Sequence, residues 1–251
     1  MRPSLACGLL ERPLAMCEPA RTIGRNRRDG YTLIELAVVI AIIGIMAALS
    51  APSLAQFFAN QRAKAAARGV ADAFRVAQAE AIRSGNPHIV FFSASAAGNP
   101  AATDPNGTGL GFAPGGRVWP LVVLDDRTPA LSNCLIDGGE TQEHYVSPVD
   151  GVSWGFSLSG GVPAPGDAGG GNPATGSTFR SRAGGVNTTW VMFRPDGIPV
   201  GFDAACTLGG VGSGGGAIYL TNGRRDYAVV LSPLGGVKVH YWNVGTGAWT
   251  D

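Results

Sequence analysis

The chain has 251 residues, 45% of them hydrophobic, which is enough for one modest core and a further segment. Its formal net charge is +1 at pH 7, so the overall charge gives no argument for a nucleic-acid partner. No histidine lies at helical ligand spacing from another and no cysteine has a CxxC companion, so we predict no metal ion and no other cofactor.

Residues 1–30 carry six arginines against three acidic residues, a net charge of +3, which leaves −2 for residues 31–251. Four of the arginines crowd the end of this leader: Arg21, Arg25, Arg27 and Arg28. Basic residues beside an apolar segment favour the cytoplasmic side of a membrane, so we predict a single pass with the C-terminus outside the cytoplasm. Met16 is an alternative start, and it would leave a leader of fifteen residues.

An almost uninterrupted apolar run extends from Leu36 to Ala55. Twenty helical residues at about 1.5 Å each span roughly the 30 Å of a bilayer core, so we expect a transmembrane helix over 31–55. The acid at Glu35 is costly inside lipid, which predicts either a position in the headgroup zone or a specific partner. No small-residue cleavage site clearly ends the run, which favours an anchor over a cleaved secretory signal.

The leader, Gly30, the aromatic Tyr31 and the phrase Thr32-Leu33-Ile34-Glu35-Leu36 resemble the class III signal of type IV pilins and type II secretion pseudopilins. The resemblance implies cleavage after Gly30 by a prepilin peptidase/N-methyltransferase and methylation of Tyr31, where phenylalanine is commoner. It also implies that Glu35 pairs with the terminal amine of a neighbouring pilin or pseudopilin. An acid and an ammonium attract strongly in low dielectric, which would satisfy Glu35.

The helix is predicted to continue as an amphipathic segment over 56–86. Val70, Phe74, Ala77 and Ala81 recur at helical spacing, so this stripe should pack against a globular head. Ser84-Gly85-Asn86-Pro87 should end the helix, because glycine suits a left-handed cap and proline cannot continue a helix.

Residues 87–251 are predicted to form one β-rich head. The short apolar runs between glycine and proline clusters indicate antiparallel strands at 88–93, 118–124, 152–158, 188–194, 217–221, 227–232 and 237–242. Tight turns are expected at 195–197 and 233–236. Two stretches rich in glycine and proline, 96–116 and 159–185, are expected to be long exposed loops that contribute little core. The predicted fold is α+β, a long N-terminal helix packed on an antiparallel sheet, as in type IV pilins.

Cys134 and Cys206 would be the only thiols of a mature chain that begins at Tyr31. Both lie in the part predicted to reach an oxidising compartment, so we predict one disulfide between them. Two free buried cysteines are the alternative, because sequence cannot show that the two residues approach each other.

The head is most similar to the GspH/FimT class, in which a phrase such as Val191-Met192-Phe193-Arg194-Pro195-Asp196-Gly197 precedes a closing hairpin. FimT-type minor pilins of competent bacteria have been associated with DNA capture through a C-terminal Gly-Arg-x-Arg phrase. The nearest residues here, Gly235-Gly236-Val237-Lys238, lack the first arginine and have lysine for the second. Lys238, Arg224 and Arg225 are the candidate phosphate contacts, although lysine lacks the bidentate donor of arginine.

Two short motifs suggest enzymes but lack the context they need. Residues 151–155 match the nucleophile-elbow pattern and residues 210–215 match a dinucleotide-binding pattern, yet each should lead into a strand where a helix is required. The chain is therefore not expected to be an enzyme.

The sequence thus predicts a minor pilin or pseudopilin, processed and N-methylated, that helps to initiate or cap filament assembly. It would be anchored in the bacterial inner membrane with its head in the periplasm and then enter a pilus or pseudopilus. Its partners would be the prepilin peptidase, other pilins and membrane lipid. The first alternative is a DNA-binding tip subunit of a competence pilus. The second is an unprocessed single-pass anchor with a β-rich binding domain.

Overall fold

The computed structural model describes residues 31–93, 101–109, 120–126, 133–137, 140–146, 149–182 and 185–251. The chain divides into two compact units, one ending at Ala48 and one beginning at Leu49. The predicted leader and its last residue, Gly30, lie outside the described residues.

Helix α1 comprises Leu33–Ser84, close to the bounds predicted from the sequence, and it contains Pro52. In the first unit every helical residue is exposed. In the second unit α1 becomes amphipathic, and the predicted stripe from Val70 to Ala81 is buried. The helix ends as predicted at Gly85, whose left-handed φ of 74° a side chain would disfavour.

Two antiparallel sheets of five strands each make up the β-rich part of the second unit. The first sheet has the order β3-β2-β1-β5-β6, with β1 His88–Phe92, β2 Leu121–Asp125, β3 Thr141–Val146, β5 Trp190–Phe193 and β6 Pro199–Val200. The second has the order β10-β9-β8-β7-β4, with β4 Ser153–Trp154, β7 Gly216–Thr221, β8 Asp226–Leu231, β9 Val237–Asn243 and β10 Ala248–Thr250. This arrangement confirms the α+β class.

The main core lies where α1 packs against the inner faces of both sheets. Phe74 is fully buried at its centre, with ring centroids 5.8 Å from Phe179 and 6.5 Å from Phe193. Alanines dominate the surrounding helical stripe, and their small side chains allow the sheets to approach the helix closely. Each buried phenylalanine contributes about 1.5 to 3 kcal/mol to the hydrophobic stabilisation of this packing.

The predicted strand at 152–158 is confirmed only for Ser153–Trp154. Beyond Trp154, three backbone N–H groups bond to a side chain and not to a neighbouring strand. The Asp226 carboxylate accepts the N–H groups of Ser157, Leu158 and Ser159 at 2.8 to 3.1 Å. Asp226 is fully buried. Because these N–H groups bond to a side chain, the chain turns away from β7 instead of extending along it.

The described part of 159–185 has no strand, as expected of a loop, but the expectation that it contributes little core is wrong. Thr178 and Ser181 are buried, and Phe179 belongs to the main core. Asp167 holds the segment on the outer face of the second sheet, because its carboxylate accepts the hydroxyls of Thr178 and Tyr219, each at 2.7 Å. Of the other predicted loop, only 101–109 is described, and Ala102 there is buried.

Both predicted tight turns are present and rest on the same part of α1. Gly197 and Gly235 have left-handed φ values of 76° and 90°. The side-chain amide of Gln78 donates to the Gly197 carbonyl at 3.0 Å, and a Cβ atom on Gly235 would lie 2.3 Å from the same amide nitrogen. A Cβ atom on Gly197 would lie 2.7 Å from Ile82. Glycine is required at these turns for both conformation and space.

Candidate processing and assembly site

The start of α1 forms a capping box. Thr32 is the residue before the helix, and its hydroxyl accepts the backbone N–H of Glu35 at 3.3 Å. The Glu35 carboxylate in turn accepts the backbone N–H of Thr32 at 3.4 Å. This reciprocal pair satisfies two of the N–H groups that a helix start leaves without partners. The Thr-x-x-Glu spacing is a sequence signal for this cap that our sequence analysis missed.

Glu35 has no ion-pair partner in the part of the chain that the structure describes. Its apolar neighbours are exposed, with Leu33 at 86% and Ile34 at 72% accessibility. Tyr31, the predicted methylation position, is 84% exposed. The N-terminal segment therefore presents an accessible residue 31 and an unneutralised acid on an exposed apolar helix.

α1 is the one helix among the described residues that is long and apolar enough to cross a membrane. Its apolar part follows directly after the capping box, and from Leu36 to Gln61 the chain has no charged side chain. The acid therefore lies near one end of an uncharged helical stretch, where an ionised side chain costs less than at the centre of a bilayer.

The predicted disulfide between Cys134 and Cys206 is present in the structure, with a Cα–Cα distance of 5.5 Å. It packs in a cluster on the outer face of the first sheet, with Phe202 and Met192. Next to it, the Asp203 carboxylate accepts the backbone N–H groups of Thr207 and Ala205, which lowers the pKa of that carboxyl. The bond ties two loops across 72 residues of chain.

The three candidate DNA contacts line two different grooves. Arg224 and Arg225 precede the first residue of β8, whereas Lys238 pairs with Val230 near the other end of that strand. The strand between Asp226 and Val230 is about 13 Å long. Lys238 lines a groove that also includes Trp249, and the two arginines line a different groove with Lys64.

Neither enzyme-like motif is followed by a helix, although residues 151–155 do not lead into the strand predicted as far as 158. Ser153 lies in β4 and is followed by a bend, and residues 210–215 lead into β7, so neither motif has its required helix. Within the described ranges, no group of three or more His, Cys, Asp or Glu side chains is placed to hold a metal ion.

Comparison with known proteins gives one result, at the N-terminus. No curated protein and no solved structure matches the chain. Residues 25–51 match the prokaryotic N-terminal methylation motif, which is a structural pilin signal and not an enzyme signature. The motif implies processing by a prepilin peptidase and assembly with other pilins, and with the apolar helix it fits membrane anchoring. The chain thus carries the signal of a type IV pilin- or pseudopilin-like subunit.

Proposed function

We propose that the chain is a minor pilin or pseudopilin of the GspH/FimT class that helps to initiate or cap a filament. Residues 1–30 are a cytoplasmic leader, cleavage follows Gly30, and Tyr31 is N-methylated. The mature chain is held by 31–55 in the inner membrane with the head of 87–251 in the periplasm. Glu35, which has no ion-pair partner among the described residues, carries the proposal, because a carboxylate on an apolar helix needs a positive partner once that helix is buried in a filament.

The phrase on which the GspH/FimT resemblance rests has a structural role in the head. It forms β5 and the following turn, where Gly197 contacts Ile82 and Gln78 of α1. Arg194 and Asp196 form an ion pair at 3.0 Å across the turn, and the Asp196 side chain accepts the N–H of Ile198. The phrase thus encodes the turn that seats the first sheet on the helix.

Processing is tested by intact mass and N-terminal sequencing of the protein from host membranes, with and without the prepilin peptidase. We expect a mature chain beginning at methylated Tyr31 only when the peptidase is present. A chain that stays uncut in both strains would instead support an unprocessed single-pass anchor.

The assembly role of Glu35 is tested separately from its capping role. Glu35→Gln removes the charge but keeps a side chain that completes a capping box, whereas Thr32→Ala removes the cap and keeps the charge. In sheared filaments we expect at least about tenfold less Glu35→Gln protein than wild type, since a charge pair in low dielectric is lost. Thr32→Ala should cost about 1 kcal/mol of helix stability and still assemble.

Membrane levels of both variants provide the control, because neither change touches the apolar run. Equal amounts of Glu35→Gln and wild-type protein in filaments would refute the charge-pair role. If Thr32→Ala failed to assemble while Glu35→Gln assembled normally, the motif would be needed for helix capping and not for its charge.

A further inference from the structure

A basic groove lies at the end of the second sheet where β7 turns into β8. It has a volume of about 640 Å³ and is lined by Lys64, Arg224, Arg225, Tyr227, Tyr241, Trp242 and the turn 243–245. Three of these residues are cations, three are aromatic and none is acidic. Cations interleaved with tyrosine and tryptophan match the composition of protein surfaces at the headgroup level of a membrane.

The cations of this groove differ from three other basic residues of the second unit, which are ion-paired. Arg75, Arg83 and Arg194 form ion pairs with Asp72, Glu80 and Asp196, respectively. Lys64, Arg224 and Arg225 form no ion pair within the described part of the chain, and all three are exposed. Their charge is therefore available to a ligand.

The turn that carries the two arginines is held in place. The Asn222 side chain accepts the backbone N–H groups of Arg224 and Arg225 at 3.0 and 2.8 Å. Its amide donates to Asn60 of α1 at 3.0 Å. The arginines thus have a fixed position beside one point on the helix, which reduces the entropy lost when they bind.

That point on the helix marks where the apolar run ends. Leu49, Leu54, Phe57 and Phe58 are exposed apolar residues within the same compact unit, and Asn60 follows Phe57 by about 4.5 Å along the axis. Arg62 is the first charged residue after Glu35. Residues 60–64 therefore occupy the position of a lipid–water interface when the preceding helix lies in a bilayer.

We propose that the basic groove binds the headgroups of anionic phospholipids while the subunit is anchored in the membrane. This proposal rests on the membrane anchoring in the proposed function. Charge complementarity and the short distance from the apolar helix favour lipid phosphate over a soluble polyanion. The contact would hold the head against the membrane surface until the subunit leaves the bilayer for the filament.

The test uses the full chain in nanodiscs of neutral phosphatidylcholine, with or without about a quarter phosphatidylglycerol. Hydrogen–deuterium exchange is followed in the turns 222–225 and 243–247. Exchange in the anionic discs should be slower by about fivefold or more, roughly the effect of one basic residue at an anionic surface. High salt should abolish the difference, because exposed charges are screened.

The triple variant Lys64→Gln/Arg224→Gln/Arg225→Gln should exchange equally in both kinds of disc. The matched control Arg75→Gln/Arg83→Gln/Arg194→Gln removes the same charge from paired positions and should keep the slowing. Equal exchange of the wild type in both discs, or equal slowing in both variants, would overturn the proposal.

A nucleic-acid ligand is distinguished with a labelled 20-nucleotide DNA added to the protein in neutral discs. Micromolar binding at physiological salt that is lost in the groove variant would overturn the lipid proposal in favour of DNA. Neither measurement depends on cleavage after Gly30 or on filament entry. Failure of the lipid contact and failure of the pilin role are therefore seen in different experiments.

Discussion

The segment up to Ala48 and the second unit, from Leu49 onward, encode their properties in different ways. In the first, residue type and order are enough to specify these properties. Every helical residue there is exposed, and the motif acts through local contacts such as those between Thr32 and Glu35. In the second unit, a segment rich in glycine contains Phe179 of the main core and is held by the carboxylate of Asp167 and the buried carboxylate of Asp226. The comparison shows that low sequence complexity indicates exposure only where no tertiary partner exists.

Removal of the Asp226 carboxylate should have the largest effect on the head. Asp226→Ala removes a fully buried carboxylate and leaves the three backbone N–H groups that it accepts without their acceptor, and we expect a loss of about 2 to 4 kcal/mol in the free energy of unfolding. Asp203→Ala is the control, because that carboxylate also accepts two backbone N–H groups but in an exposed loop, where water can replace it and the loss should be much smaller. Urea unfolding of both variants measures the difference, and equal losses would contradict it.

Loss of the disulfide should come next. Cys134→Ser/Cys206→Ser removes a crosslink across 72 residues, with an expected cost of about 2 to 4 kcal/mol. The melting temperature of the wild type should fall to that of the variant when reductant is added. A melting temperature that is unchanged by both the reductant and the substitutions would show that packing around Phe202 holds the loops without the bond.

Substitutions at two glycines, Gly197 and Gly223, can distinguish the cost of steric crowding from the cost of backbone strain. Gly197→Ala and Gly223→Ala both place a side chain at a φ of 76°, but only at Gly197 does the new atom meet α1, 2.7 Å from Ile82. We expect Gly223→Ala to cost about 1 kcal/mol and Gly197→Ala about 2 kcal/mol. Thermal unfolding of both variants gives the comparison, and equal costs would mean that Ile82 moves aside freely.

A pH effect should be the smallest. Burial raises the pKa of Glu140 from 4.5 to about 7, and the carboxylates of Asp126, Asp137 and Asp125 add to the rise. The folded state binds the Glu140 proton more tightly than the unfolded state does. The resulting contribution to the free energy of unfolding is complete below pH 4.5 and is lost as the pH rises to 7. We expect the wild type to lose about 1 to 2 kcal/mol between pH 5 and pH 8 relative to Glu140→Gln. Parallel pH profiles of the two proteins would contradict the assignment.

The elements that the sequence predicted well are those with strong local signals. The helix end at Gly85, the buried stripe around Phe74 and the strands β7 to β9 follow from turn residues and apolar periodicity. Three strands were missed: β3, β6 and β10. β3 is polar, β6 has two residues and β10 has three, so their pairing depends on neighbouring strands and not on their own composition.

Only those parts of the candidate site that depend on the local sequence could be predicted. Tyr31 and Glu35 were identified from one motif, and the cysteine pair from a count of thiols. The basic groove was not predicted, because Lys64 and Arg224 are brought together by the packing of α1 on the second sheet, which includes the contact between Asn60 and Asn222. Asn60 and Asn222 are 162 residues apart, so no sequence motif indicates that they are in contact.

The contact of Gln78 with both tight turns has a mechanical consequence. The turn containing Gly197 belongs to the first sheet, the turn containing Gly235 joins two strands of the second, and both touch this one side chain. A pull on this part of α1 is therefore shared by the two sheets in parallel.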